Sequence, residues 1–255
     1  MIEARELRKH FNGAAVVDGI SFHVERGELL ALVGGSGSGK TTSLKMLNRL
    51  VEPSGGSVHI AGQDVRGTAG HILRRRIGYA FQGVGLFPHY SVEQNVGITP
   101  SLLGWERERI AARVTELLEL LELDSALRSR FPASLSGGQA QRVGVARALA
   151  AHPEVMLLDE PFGALDPLTR DRLQKSFHQL QRRLRLTVVF VTHDMTEALL
   201  LADRIAVLQS GRLIQMGTPQ QLLCAPASTY VELLMDTPRR QARVFDHLAR
   251  GAPRA

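Results

Sequence analysis

The chain alternates between short apolar runs and segments with helical spacing. In Ile20-Ser21-Phe22-His23-Val24 every second residue is apolar, which predicts an antiparallel strand near the N-terminus. Uninterrupted apolar runs follow at 155–158, 187–191 and 205–208, with helix-like segments between them. Runs of this kind are typical of parallel strands that are covered on both faces. The pattern therefore predicts an α/β fold with a mostly parallel sheet and an N-terminal antiparallel β subdomain.

A helical insertion is predicted between residues 83 and 145. Within it, residues 105–123 form a long amphipathic pattern rich in Arg, Glu and Leu. We therefore divide the chain into a core of residues 1–82 and 146–225, a helical subdomain of residues 83–145, and a C-terminal segment of residues 226–255. Residues 218–255 are expected to form helical pieces followed by a tail that contains Pro and Arg.

A glycine-rich stretch joins the apolar run at 28–33 to a helix-like segment at 43–50. It fits the phosphate-loop pattern G-x-x-x-x-G-K-[ST], and its residues are Gly34, Gly35, Ser36, Gly37, Ser38, Gly39, Lys40, Thr41 and Thr42. A strand that turns into a helix in this way points backbone N–H groups at one position, where the helix dipole also favours an anion. We expect Lys40 to reach the β- and γ-phosphates of a nucleotide and the Thr41 hydroxyl to bind Mg²⁺. A Gly/Ser-rich turn with a chance lysine is the alternative, and the strand-then-helix context argues against it.

Two adjacent carboxylates, Asp159 and Glu160, follow the apolar run at 155–158. Ligands of open α/β sheets collect at the carboxyl ends of the strands. Asp159 is therefore a candidate to support the Mg²⁺ held by Thr41. Glu160 is then available to polarise an attacking water, because phosphoryl transfer mainly needs positioning, charge neutralisation and an oriented nucleophile. The alternative is a carboxylate pair that only caps the next helix.

Two further polar residues end predicted strands at the same edge of the sheet. His193 follows the run at 187–192, where its side chain is in a position to sense a γ-phosphate. Gln82 ends the strand predicted at 77–82 and is placed at that edge by the same argument. Either residue taken alone is more often an ordinary surface or helix-entry residue.

A second candidate anion site begins at Leu135-Ser136-Gly137-Gly138-Gln139. Ser136 is a candidate N-cap for the helix predicted at 140–151, whose first N–H groups would then face an anion. One nucleotide needs only one phosphate cradle. The second cradle therefore indicates a site completed by another subunit, although an ordinary capped helix is the alternative.

Composition limits the classes of protein that these motifs allow. A chain of 255 residues with 44% hydrophobic residues is long enough for one large α/β domain with an inserted subdomain. The net charge of +6 permits acidic partners, namely nucleotides, nucleic acids or an anionic membrane face. A single cysteine, Cys224, excludes an internal disulfide and a thiolate metal cage. The sequence has no apolar signal core and no run of about 18 apolar residues, so we expect neither secretion nor a membrane span.

Taken together with Ala164-Leu165-Asp166, these motifs resemble those of the ATPase subunits of ABC transporters. Their order and spacing cover about residues 1–225, and the LSGGQ pentapeptide is far more specific than the phosphate loop. The resemblance implies ATP and Mg²⁺ as ligands, a phosphate-loop NTPase core, and a head-to-tail homodimer that encloses two ATPs. Each ATP would lie between the phosphate loop of one subunit and Ser136, Gly137, Gly138 and Gln139 of the other.

The resemblance also assigns roles to individual residues. It implies that Phe11 stacks on adenine with Val16 alongside, that Thr41, Gln82 and Asp159 hold Mg²⁺, and that Lys40, Gln82, Glu160 and His193 are catalytic. The sequence departs from the usual pattern at Phe11, where tyrosine is commoner, and at Gly163, where serine is frequent. Stacking needs only the face of a ring, so Phe11 still fits the adenine role.

Within this superfamily, residues 74–79, 85–89, 99–105 and 235–241 resemble importers of glycine betaine, choline and related quaternary-amine osmoprotectants. The resemblance implies a peripheral subunit on the cytoplasmic face of the membrane. Its partners would be permease subunits and, indirectly, an extracytoplasmic substrate-binding protein, with no nucleic acid. Three alternatives stay open: an importer ATPase for another small solute such as an amino acid or an anion, a soluble ABC-type ATPase that acts on nucleic acid or ribosomes, and a non-catalytic assembly subunit.

The segment from Gln82 to about Trp105 is predicted to transmit nucleotide binding to the permease. It begins at the expected γ-phosphate edge and continues into a loop that carries Leu86, Phe87 and Tyr90. Glycines and a proline make this loop a natural hinge to the helical subdomain. Packing of these apolar residues into the core is the alternative.

Overall fold

A computed structural model describes residues 1–81, 85–163 and 165–251 of the chain. Its strands form two sheets within this described part. The first sheet is antiparallel, has the order β2-β1-β4-β5, and consists of β1 (Ile2–Phe11), β2 (Ala14–Val24), β4 (Gly55–Ile60) and β5 (Gln63–Asp64). The second has the order β10-β9-β3-β8-β7-β6 and consists of β3 (Leu29–Val33), β6 (Ile77–Ala80), β7 (Val155–Asp159), β8 (Thr187–Val191), β9 (Arg204–Gln209) and β10 (Arg212–Gly217). All neighbours in the second sheet are parallel except β9 and β10. The predicted α/β class and the N-terminal antiparallel sheet are confirmed.

The apolar runs become strands because both of their faces are covered. Every residue of β3, β7 and β8 is buried. Along β3, Leu29, Ala31 and Val33 belong to one apolar core, whereas Leu30 and Leu32 belong to the core on the other side of the sheet. Such a strand shows no polar alternation, because neither face meets water.

The helices cover the sheet and form a cluster beyond β6. Their bounds are α1 (Lys40–Leu47), α2 (Gly70–Arg75), α3 (Val92–Leu102), α4 (Arg107–Leu120), α5 (Gly137–Leu149), α6 (Pro167–Leu184), α7 (Met195–Leu201), α8 (Pro219–Cys224) and α9 (Thr229–Gly251). Helices α3, α4 and α5 pack on one another, and α5 also packs on β6. These three helices lie in or overlap the predicted insertion, but the bounds of the subdomain itself stay a prediction. Among the helices that the structure describes, none has the length and apolar character needed to cross a membrane.

The C-terminal segment is helical in its described part. The helical pieces expected over residues 218–255 are α8 and α9, and α9 continues through Pro238 to Gly251. Its beginning is held by Val231 and Met235, which are completely buried. Packing of these two residues offsets the free-energy cost of forming the first turns, which precede Pro238. Each later residue only extends a helix that already exists.

Candidate nucleotide-binding site

The loop between β3 and α1 has a shape that only glycine permits at two positions. Gly39 has a φ of +93°, and a Cβ there would lie 2.7 Å from the carbonyl oxygen of Val16. At Gly34 a Cβ would lie 2.1 Å from the carbonyl oxygen of Leu208. Both distances are shorter than real Cβ contacts, so a side chain at either position would push the loop away from its neighbours. The glycines therefore bring the loop close to the strands on either side.

The Lys40 ammonium group folds back over this loop. Its Nζ donates to the carbonyl oxygens of Gly34 and Gly35, at 2.8 Å each, and lies 3.4 Å from Ser38 Oγ. Lys40 is 8% exposed, and burial lowers the pKa of its ammonium group while Glu160 and Asp159 act in the opposite direction. The loop thus holds a positive charge close to its backbone N–H groups, as the binding of a phosphate requires.

The predicted magnesium ligands Thr41 and Asp159 are in contact. Thr41 Oγ1 donates to Asp159 Oδ1 at 2.9 Å, which joins the start of α1 to the end of β7. Asp159 is 2% exposed, and burial raises the pKa of its carboxyl group. A hydroxyl and a carboxylate are hard oxygen donors of the kind that Mg²⁺ takes, and its double charge would compensate for burying the carboxylate. These two residues therefore fit the ion, while Gln82, the third predicted ligand, lies outside the described residues.

Glu160 and His193 meet at the edge of the sheet, as their positions after β7 and β8 predict. Asp159 pairs with Val191 in register, and the Glu160 N–H donates to the Val191 carbonyl at 3.0 Å. The carboxylate Oε1 of Glu160 lies 3.3 Å from His193 Nδ1. Glu160 has a φ of +49°, in the left-handed region that few residues other than glycine adopt. Backbone strain of this kind is concentrated at functional sites, where the surrounding structure holds the residue in place.

A cavity of about 430 Å³ opens in front of these groups. It is lined by Val16, Ser36, Gly37, Ser38, Gly39, Lys40, Thr41, Thr42, Glu160 and His193. The volume falls within the range of about 300 to 1,000 Å³ that is usual for small-molecule sites. The structure thus brings most of the predicted phosphate-binding and catalytic residues around one space.

Phe11 is the predicted adenine platform. It ends β1 with 45% of its surface exposed, and the Lys9 ammonium lies 4.9 Å from the centre of its ring. Phe11 is not among the described residues that line the cavity, although Val16, on the paired strand β2, is. An exposed ring is compatible with stacking on a base, and the role of Phe11 stays a prediction.

The signature residues form the N-terminus of α5. Ser136 Oγ accepts from the Gln139 N–H at 3.2 Å, and the Gln139 side chain accepts from the Ser136 N–H at 2.9 Å. This reciprocal pair is a capping box, in which Gly137 and Gly138 occupy the first turn. The described lining of the phosphate-loop cavity contains none of these four residues. Ser136 is an N-cap as predicted.

Two residues near the site, Gln141 and Tyr230, were not predicted from the sequence. The Gln141 amide is buried and donates to the Pro161 carbonyl, so α5 is tied to the turn that follows Glu160. The Tyr230 hydroxyl accepts from the Gly35 N–H at 2.9 Å. Neither residue has a sequence signal, because each contact depends on folding.

Of the motif Ala164-Leu165-Asp166, Ala164 lies outside the described residues. Asp166 caps α6 by accepting from the Thr169 N–H at 3.0 Å. Hydrogen bonds from the Thr169 side chain and from its N–H lower the pKa of the Asp166 carboxyl group.

Comparison with known proteins decides the family. The profile of the ABC transporter family matches residues 17–163, which contain the phosphate loop, the signature and the carboxylate pair. The chain belongs to the ABC transporter family. An ABC transporter ATP-binding chain is expected to have both a phosphate loop and a signature helix, and this chain has the loop before α1 and the signature residues at the start of α5.

Two relatives and one solved structure place this ABC chain more closely. It is 48% identical over 233 residues to a glycine betaine/carnitine/choline transport ATP-binding protein of Bacillus subtilis (strain 168), with 91% of this chain and 61% of the relative covered. It is 49% identical over 231 residues to a glycine betaine uptake system ATP-binding protein of Escherichia coli (strain K12), with 91% and 75% covered. A dimeric ATP-binding cassette in a post-hydrolysis state, bound to ADP and Pi, superimposes with a TM-score of 0.79 at 30% identity, covering 86% of this chain and 99% of the other. The chain therefore spans about three fifths of the length of the first relative.

Proposed function

We propose that this chain is the ATP-hydrolysing subunit of an ABC importer. The observation that carries the proposal is the contact between Glu160 and His193, which line the phosphate-loop cavity together with Thr41, the partner of Asp159. A site that only bound a nucleotide would not need a carboxylate held beside an imidazole in its wall. The name of the B. subtilis relative, a transport ATP-binding protein, agrees with this assignment.

In the proposed reaction each residue of the site has one task. The loop N–H groups and Lys40 bind the β- and γ-phosphates, and Thr41 and Asp159 hold Mg²⁺, which neutralises charge on the phosphate oxygens. Glu160 accepts a hydrogen bond from the attacking water and orients it towards the γ-phosphorus. His193 holds the Glu160 carboxylate in place through Nδ1 and is positioned to contact the γ-phosphate. Bond breaking at the β–γ bridge then yields ADP and Pi.

The complete site is proposed to need two copies of the chain. The N-terminus of α5 offers free N–H groups and a helix dipole to an anion, but it lies outside the cavity formed by the phosphate loop of the same chain. A head-to-tail dimer would bring Ser136 to Gln139 of one subunit against the nucleotide of the other. The related cassette bound to ADP and Pi is a dimer, which supports this arrangement.

The permease is proposed to dock in a groove beside the segment that follows Gln82. A cavity of about 740 Å³ is lined by residues of α2, β6, α3 and α5 and of the segment between β6 and α3. Among them are Tyr79, Phe81, Phe87, Ile98, Leu102 and Arg147. The exposed rings of Phe81 and Phe87 lie 5.8 and 5.9 Å from the Arg147 guanidinium. Arg147 also donates to the Gly85 carbonyl at 2.7 Å, so α5 holds the start of this segment. An apolar floor with an aromatic rim suits a permease helix.

The support for the backbone of this segment comes from one buried amide. Asn95 is completely buried on α3, and its side chain bonds the N–H and the carbonyl of Phe87 together with the carbonyls of Tyr90 and Ser91. The loop from 87 to 91 therefore moves with α3 as one unit. Rotation of the helices on ATP binding would carry the groove with it, which is the coupling that we propose.

The proposed substrates are glycine betaine, choline and similar quaternary amines, and the proposed location is the cytoplasmic face of the membrane. The substrate class follows the names of the B. subtilis and E. coli relatives, and the location follows from the proposed docking on a permease. The test is to purify the tagged chain from detergent-solubilised membranes, sequence what accompanies it, and measure ATP hydrolysis. We expect a permease and Mg²⁺-dependent hydrolysis. Copurification of nucleic acid without a permease would overturn the importer assignment.

A further inference from the structure

The peptide group that joins Gly34 to Gly35 is held from two directions. Its carbonyl oxygen, on Gly34, accepts from Lys40 Nζ at 2.8 Å, and its N–H, on Gly35, donates to the Tyr230 hydroxyl at 2.9 Å. Lys40 belongs to the phosphate-loop motif. Tyr230 lies on α9, 195 residues after Gly35. The first bend of the phosphate loop is therefore fixed partly by the C-terminal helix.

Tyr230 is itself held rigidly at the beginning of α9. The next residue, Val231, and Met235 one turn later are completely buried in the core that also contains β3 residues. Ser228 Oγ accepts from the Val231 N–H at 3.3 Å, which fixes the entry to the helix. Tyr230 is half-buried and packs against the same core. Its hydroxyl thus has a defined position relative to the loop.

We propose that Tyr230 is a positioning residue for ATP, which acts through Gly35 and keeps the phosphate loop in the shape that receives the phosphates. The proposal rests on the proposed function of the site, because it concerns the affinity of that site for nucleotide. It also gives the C-terminal helix, which lies outside the matched residues 17–163, a part in nucleotide binding.

The reason is a difference between the two states of Lys40. In the structure Lys40 Nζ bonds the Gly34 and Gly35 carbonyls. When Lys40 turns to the phosphates, as the proposed function requires, the peptide between these glycines loses that support. Among the side-chain contacts to this peptide that the structure describes, the Tyr230 hydroxyl then remains. The bond is therefore worth more with nucleotide bound, and a loop already held in shape spends less binding free energy on ordering.

A purely structural role for Tyr230 predicts a different result. If the ring only filled space against the core, phenylalanine would replace it without effect on ATP binding. If the hydroxyl only stabilised the fold, its loss would lower the melting temperature of the nucleotide-free chain and leave the affinity unchanged. A positioning role changes the affinity and leaves the melting temperature of the nucleotide-free chain as it was.

The test compares Tyr230→Phe with Ser21→Ala. Ser21 is the matched control, because its hydroxyl also accepts from a backbone N–H, that of Glu6 at 2.8 Å, and it is not among the described residues that line the phosphate-loop cavity. Binding of a fluorescent methylanthraniloyl-ATP, the KM and kcat of ATP hydrolysis, and the melting temperature without nucleotide are measured for both. We expect Tyr230→Phe to weaken nucleotide binding and raise KM about 2- to 10-fold, the effect of one net hydrogen bond, with kcat and melting temperature unchanged. Ser21→Ala should bind ATP like the wild type.

Amide hydrogen exchange at Gly35 gives a second, direct measurement. The N–H should exchange faster in Tyr230→Phe than in the wild type, both without nucleotide and with ATP bound. Wild-type affinity in Tyr230→Phe, or a lowered melting temperature alone, would overturn the inference while leaving the proposed function intact. A wild-type chain that binds no ATP would overturn both.

Discussion

The Gln174 amide donates to Glu197 Oε1 at 2.8 Å, with the two side chains only 9% and 6% exposed. This bond ties α6, which Asp166 caps, to α7, which begins directly after His193 and Asp194. The helix that follows β7 and Glu160 is thus joined to the helix that follows β8 and His193. Burial raises the pKa of the Glu197 carboxyl group, and Asp194 acts in the same direction, while Thr192, Gln174 and Arg170 oppose the shift.

The raised pKa of Glu197 predicts a pH-dependent stability. Above pH 4.5, the ordinary pKa of a glutamate side chain, the unfolded chain loses this proton first, so the contribution of Glu197 to the free energy of unfolding falls as pH rises through the folded-state pKa. Glu197→Gln keeps an oxygen for Gln174 and cannot ionise. We expect urea denaturation to show the variant gaining stability over the wild type as pH rises above 4.5, with little difference below it. Glu108→Gln, on the exposed side of α4, should show no such trend, and a pH-independent difference for Glu197→Gln would contradict the assignment.

Glu160→Gln should separate ATP binding from hydrolysis. The amide keeps the size of the side chain but cannot accept a proton from water, and positioned bases contribute about 10²- to 10⁴-fold. We expect hydrolysis to fall at least about 100-fold, with the dissociation constant of ATP nearly unchanged. Glu154→Gln, which replaces an exposed glutamate paired with Arg26, is the control and should hydrolyse ATP at the wild-type rate. Near-normal turnover in Glu160→Gln would remove this residue from the catalytic role.

The same variant should reveal dimerisation. Glu160→Gln is expected to bind ATP without hydrolysing it. In the proposed dimer, the N-terminus of α5 of the second subunit, Ser136 to Gln139, would then remain bound to the γ-phosphate. Multi-angle light scattering should give the mass of a dimer with ATP and Mg²⁺ and that of a monomer with ADP. A monomer with ATP at the highest soluble concentration would count against the shared site.

Replacement of Phe87 or Tyr90 by alanine should uncouple the chain from its permease. The two rings lie 5.5 Å apart, and Phe87, which lines the groove, is 40% exposed. We expect ATP hydrolysis by the isolated subunit to stay within about threefold of the wild type, because neither ring lines the nucleotide cavity in the described structure, and transport by the assembled complex to be lost. Leu184→Ala, an equally exposed apolar residue at the end of α6, should transport normally. Equal loss of both activities in Phe87→Ala would mean that the segment is core packing.

The sequence was sufficient where a local pattern has one structural outcome. Continuous apolar runs predicted the parallel strands. Because the carboxyl ends of parallel strands lie at the same edge of a sheet, the sequence also predicted that Glu160 and His193 lie near each other. The left-handed φ of Glu160 could not be predicted, because it depends on the turn that the surrounding residues impose. Gln141 and Tyr230 were missed for a related reason: each bonds a backbone group that is distant in sequence, and such a contact leaves no periodicity. The length of α9 was not predictable either, because burial of Val231 and Met235 at its start is a tertiary effect.

The place of β3 in its sheet has a consequence for the order of events during synthesis. This strand precedes the phosphate loop. Its two partners in the described sheet, β8 and β9, are synthesised much later than β3. Its neighbours are residues 187–191 and 204–209, so a nascent chain that ends earlier leaves β3 with both edges bare. Long-range pairing of this kind is slow, and bare strand edges invite aggregation. Most of the chain must therefore be synthesised before β3 can pair on both sides. Until then the phosphate loop that follows β3 is not held in its folded conformation.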